Sequence, residues 1–141
     1  MPTRTITSTS NDLVLNKVAP ITVTASTTFT DADAGKEYNV ATDSLVMTLP
    51  AITADNIGIE FTFRNTGADG ANILTVSPAS TDGINGTVAN AAADSVASGV
   101  VNKDIINTKA TSNNGDYITL KAVALTKWFI TGGVGIWASQ G

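Results

Sequence analysis

The run Gly58-Ile59-Glu60-Phe61-Thr62-Phe63-Arg64-Asn65-Thr66-Gly67-Ala68-Asp69-Gly70-Ala71-Asn72-Ile73-Leu74-Thr75-Val76-Ser77-Pro78 decides how this chain is read. Its first part alternates apolar and polar residues from Ile59 to Phe63, the two-residue period of a half-buried strand. Asn65 to Gly70 then supplies turn chemistry, with Gly67 and Gly70 free of the Cβ that penalises positive φ. Asn72 to Val76 reads as a returning strand, stopped at Pro78, which has no N–H to donate to a ladder. The expectation for this run is a β-hairpin.

Working outward, the same grammar repeats. Short β-prone runs lie at Leu13–Leu15, Ile21–Thr24, Glu37–Val40, Ser44–Leu49, Tyr117–Val123, Lys127–Thr131 and Ile136-Trp137. Pro20, Thr42-Asp43, Pro50, Thr111–Asp116 and Gly132–Gly135 punctuate them. Ser80–Gly86 reads as a tight double turn with one apolar residue, Ile84, pointing inward, and the alanine-rich Val88–Ser98 as a long loop with a helical turn. Strands at this spacing, broken by Gly, Asn, Asp and Pro, predict an all-β fold: one β-sandwich, jelly-roll-like domain over residues 13–141. Phe61, Phe63, Trp128 and Phe129 fall within its strands. Trp137, four residues from the end of the sequence, either closes the core or anchors a subunit interface.

Residues 1–12 stand apart as a Thr/Ser/Asn tract. The tract reads either as a disordered terminus or as an extended arm, centred on Thr3, Arg4, Thr5, Ile6 and Thr7, that adds a strand to a neighbour's sheet edge.

Composition narrows the chemistry. A chain of 141 residues suits a single domain and is long enough to bury a core. It has no cysteine and no histidine, which removes disulfides, thiolate metal sites and the commonest general base near neutral pH. Eight Lys plus Arg spread through a chain of net charge −4 offer no basic face for nucleic acid. No apolar run approaches the ~20 residues that span a bilayer, so no membrane partner is expected. The polar start Met1–Ile6 lacks the apolar centre of a signal peptide, so synthesis in a cytoplasm without export is expected. Charged residues make up only 14% of the chain, against about 25% in an average globular protein, which suits a subunit packed in an assembly.

Catalytic signatures are missing from the sequence. There is no G-x-S-x-G, S-x-x-K or H-E-x-x-H spacing and no phosphate-binding loop. Asp31-Ala32-Asp33-Ala34-Gly35 has the opening spacing of a calcium loop, but the later ligand positions and the closing bidentate Glu are absent, so both aspartates are assigned to capping a turn. Glu37 and Glu60 are the only glutamates, and Glu60 is expected to face solvent or pair with Arg64. No enzyme activity, catalytic residue, cofactor or metal is expected.

Several pieces taken together resemble a module of tailed-bacteriophage structural proteins, and most of all the small capsid decoration (cement) proteins. They are Tyr38 and Val40 followed by Leu45-Val46-Met47-Thr48-Leu49-Pro50; Gly58 with Phe61 to Gly67; Val76 and Pro78 with Thr81 to Gly86; Asn107 to Ala110; Gly115 to Leu120; Trp128; and Gly135-Ile136-Trp137. The resemblance covers about residues 36–138. It implies a virion protein made in the bacterial cytoplasm, binding the major capsid protein on the outside of the head as a homo-oligomer, most often a trimer. The alternative it leaves open is a tail-fibre or tail-tip module adhering to host glycans, with Trp137 or Tyr38 as the sugar platform.

Overall fold

A computed structural model describes residues 18–89 and 95–140. The chain folds into two packed sheets, the all-β sandwich expected from the sequence. In chain order the strands are β1 (Ile21–Val23), β2 (Thr27–Thr28), β3 (Glu37–Val40), β4 (Leu45–Thr48), β5 (Glu60–Asn65), β6 (Leu74–Ser77), β7 (Gly83–Val88), β8 (Ser95–Val101), β9 (Ile105–Asn107), β10 (Tyr117–Ala124), β11 (Lys127–Val134) and β12 (Trp137–Ser139). A single 3-10 turn, Asp31–Asp33, joins β2 to β3. One sheet has the order β1-β3-β5-β10-β11-β7-β8, and the other β12-β9-β6-β4-β2.

The first six strands wind as a coil. Each passage of the chain lays one strand in the seven-stranded sheet and the next in the five-stranded sheet, so β1, β3 and β5 run parallel in one layer. β2, β4 and β6 do the same in the other. The run expected to be a hairpin is therefore something else: β5 and β6 lie in opposite sheets, and residues 66–73 cross between the layers. Antiparallel strands then seal the coil, with β10 beside β5 and β9 beside β6. At that far side, β8 and β12 pack against each other across the layers.

Register fixes the core. Ile21, Tyr38 and Phe63 align across three strands, as do Val23, Val40 and Asn65. Period-2 alternation therefore sends Tyr38, Val40, Phe61, Phe63, Ile118, Leu120 and Trp128 inward, all within 3% exposure. The opposite layer answers with Met47, Leu74, Val76 and Ile105, none of them exposed. At the centre Phe61 and Phe63 stack with nearly parallel planes, with ring centroids 6.0 Å apart and 4° between planes. Phe29 packs edge-on against Phe61 at 5.6 Å, and Trp128 does so at 6.0 Å. Phe129, the neighbour of Trp128 on the same strand, points outward and is 36% exposed, as alternation requires.

Two other expectations are corrected. Gly83-Ile84-Asn85-Gly86 is the start of β7 rather than a double turn, although Ile84 does point inward and is buried. Of the stretch read as a loop with a helical turn, Val88 ends β7 and residues 95–98 open β8, which pairs antiparallel with β7; residues 90–94 lie outside the described residues.

Candidate functional site

Each end of the sandwich is closed by buried polar groups, among them several of the turn residues singled out from the sequence. At one end the Asn107 side-chain amide donates to an Asp116 carboxylate oxygen at 3.0 Å and to the Ile136 carbonyl at 3.1 Å. The Asn65 amide donates to the Asn107 side-chain oxygen at 2.8 Å, and the Asn65 oxygen accepts from the Gly67 N–H at 3.0 Å. The Asn113 N–H donates to the same Asp116 oxygen at 2.9 Å. Asn65, Asn72, Asn107 and Asp116 are all buried, so the cluster satisfies groups that would each be costly alone. Two glycines are required by this packing. A Cβ on Gly67 would sit 1.9 Å from the Asn72 amide nitrogen, and one on Gly135 would sit 2.3 Å from the Asp116 carboxyl carbon, with φ at +105°.

At the other end, which carries the β10–β11 turn, fully buried Asp82 accepts from the Ile52 N–H at 2.8 Å and from the Thr81 hydroxyl at 3.0 Å. Buried Asn56 donates to Asp31 and to the Ala51 carbonyl, both at 2.9 Å. The Asp33 carboxylate accepts from the Thr30 N–H at 2.8 Å and from the Thr30 hydroxyl at 3.1 Å. These carboxylates and amides are spent on holding loops. On the outer face, Arg64 pairs with Glu37 at 3.0 Å and lies 4.6 Å above the Tyr117 ring, while Glu60 is exposed. Among the described residues no group of three His, Cys, Asp or Glu is arranged to hold a metal ion.

Two ionisable groups are displaced from their ordinary values. Hydrogen bonds from Lys109 and then from the Ile73 N–H hold the Asp43 carboxyl below the usual carboxylate range. Burial, and then the negative charge of Asp33, push the Tyr38 hydroxyl above its ordinary value of 10.0. The folded state thus keeps Tyr38 protonated where the unfolded chain would ionise. The sign follows from linkage: the folded form binds more protons above about pH 10, so stability falls as pH rises past that point and is flat with respect to Tyr38 below it. Tyr38→Phe is expected to lessen the alkaline fall in the urea midpoint between pH 9 and pH 11. An unchanged slope would assign that fall to other groups.

Trp137 lies in β12, is 2% exposed and donates its indole N–H to the Val134 carbonyl at 3.1 Å, so it belongs to the core. Tyr38 is 3% exposed. Neither ring offers a sugar platform. Thr3, Arg4, Thr5, Ile6 and Thr7 lie outside the described residues.

Sequence reading missed the surface that stands out. Ile57, Val100, Val101, Val123 and Leu125 are each 45–56% exposed. Register gathers them at the end holding the β10–β11 turn: the Gly58 N–H meets the Ala122 carbonyl, the Gly83 N–H meets the Thr126 carbonyl, and Val101 stands opposite Gly83. β1 begins at this same end, since it runs parallel to β3 and β5. The apolar rim and the point where the N-terminal segment joins the body therefore share one end. Single exposed Val or Leu residues carry no signal in sequence, because what matters is their convergence.

Compared with known proteins, the sequence matches no family model and no curated protein.

Proposed function

We propose that this chain is a non-enzymatic virion protein, a capsid decoration protein that binds the outer surface of an assembled phage head as a homotrimer and stabilises it. The observation that supports this reading best is the shared end just described, where an apolar rim sits beside the junction with a polar N-terminal arm. Such an end suits a body that rests on one protein surface while its arm reaches along that surface. The fate of the carboxylates supports it too, since the buried ones hold loops and do not face one another across a cleft.

The mechanism is mass action. A ligand that binds the expanded shell, and not its dissociated subunits, stabilises that shell by RT ln(1 + [L]/Kd) for each site. Many copies astride boundaries between major capsid protein subunits add modest energies. Thr3–Thr7 supplies the backbone hydrogen bonds of strand addition to a capsid sheet edge. Deleting residues 1–12 is expected to weaken binding to expanded capsids by at least ~10-fold, about 1.4 kcal/mol, read by co-sedimentation. Undiminished binding would remove the arm from the mechanism, and a count of only a few copies per purified virion would move the protein from the shell to the tail.

A further inference from the structure

The two sides of the sandwich differ. On one side β8 and β12 pack together across the layers. On the other the edges are β1 and β2, the first passage of the coil, and no described strand lies beyond them. Ile21 is in register with Tyr38 and Phe63 and so faces the core, yet it is 39% exposed while those two are buried. Thr27 occupies the corresponding inward position of the other layer, in register with Met47 and Val76. Between these edges lies a recess of about 350 Å³, lined by Ile21, Val23 and Thr27 and floored by Phe29 and Tyr38. An inward-facing position left partly in water is what an unfinished layer looks like.

We propose that Leu13-Val14-Leu15 of the same chain completes it, as a further parallel strand on the free edge of β2. Three observations select this occupant. The coil alternates layers at every passage, so a strand preceding β1 belongs in the five-stranded sheet, and its neighbour there is β2. Leu13-Val14-Leu15 is the only run of three consecutive apolar residues among the first 17, and alternation sends Leu13 and Leu15 to one face. Five residues, 16–20, join it to Ile21; that length reaches about 20 Å at full extension, against the ~10 Å that separates packed sheets. A segment tethered so closely outcompetes the same segment of another copy through its effective concentration.

The test uses the full-length chain without capsids, and Leu13–Leu15 survives the deletion of residues 1–12, so this inference and the arm reading fail separately. Leu13→Ser/Leu15→Ser is expected to lower Tm by several degrees and to raise the fluorescence of anilinonaphthalene sulfonate several-fold. Unchanged Tm and dye binding would overturn the proposal. Because the natural chain has no cysteine, Leu15→Cys/Thr27→Cys and Leu13→Cys/Thr27→Cys give a second readout that covers both registers. An intramolecular disulfide in either, seen as a fast-migrating monomer on a non-reducing gel, supports closure in cis. Cross-linked dimers alone, which would mean a second copy supplies the strand, or no disulfide in either pair, would overturn it.

Discussion

Phe61→Ala is expected to cost about 3–5 kcal/mol, the range for emptying a buried aromatic site that cannot collapse. The ring has no exposed surface, lies flat beside Phe63 at 6.0 Å, and takes the edges of Phe29 and Trp128 at 5.6 and 6.0 Å. Those neighbours come from the β2–β3 connection and from β11, on opposite flanks of β5, so relaxation of one flank leaves the gap on the other. Total stability of a domain this size is on the order of 5–15 kcal/mol, and the variant should therefore lose a large share of it. Equilibrium unfolding in urea, followed by tryptophan fluorescence, measures the loss. A change below about 1 kcal/mol would mean that the aromatic cluster does not organise this core.

Asp116→Ala is the second large effect, about 2–4 kcal/mol, because it removes a buried acceptor shared by the buried Asn107 amide and the part-buried Asn113 N–H. Gly135→Ala attacks the same cluster from outside, since its Cβ would overlap the carboxylate and φ is unfavourable for alanine. The two changes are coupled by geometry: once the carboxylate is gone, the new methyl has room. The double variant should therefore fall short of the sum of the singles by about 1 kcal/mol or more. Strict additivity, measured in the same urea series, would show that the contact between Gly135 and Asp116 carries no weight.

What the sequence made legible was where strands are and which way their residues face. The runs Ile59–Phe63, Ser44–Leu49 and Tyr117–Val123 fall on strands in the structure, and residues of their inward faces, among them Phe61, Met47 and Leu120, are buried. Partnership was another matter. The period-2 pattern of β5 and β6 is the same whether the two pair side by side or face each other across a core, and Asn65–Gly70 serves an arch as well as a hairpin. The residues that separate those cases are Asn65 and Asn72, since amides at both ends of a connection become useful only when it is buried between layers. Strand β7 was misread because Gly83 and Gly86 signal a turn in isolation; in place, a Cβ on Gly83 would lie 2.3 Å from the Gly99 carbonyl oxygen. Strand β8 was hidden because it opens inside an alanine-rich stretch, and the helical propensity of Ala97 is overruled by its pairing with Gly86 of β7. The apolar rim, assembled from strand ends and turns of several elements at once, left no trace in any single stretch.

The connectivity also dictates when the body becomes whole during synthesis. The β7–β8 hairpin joins its sheet only through β11, and β5 waits for β10, so the middle of the chain leaves the ribosome well before the strands that hold it in place. Parallel pairings such as Tyr38 with Phe63 span long loops and form slowly in their own right. A ribosome that stops short of Lys127 should therefore release exposed ladders rather than a smaller working protein, material for proteases and aggregates.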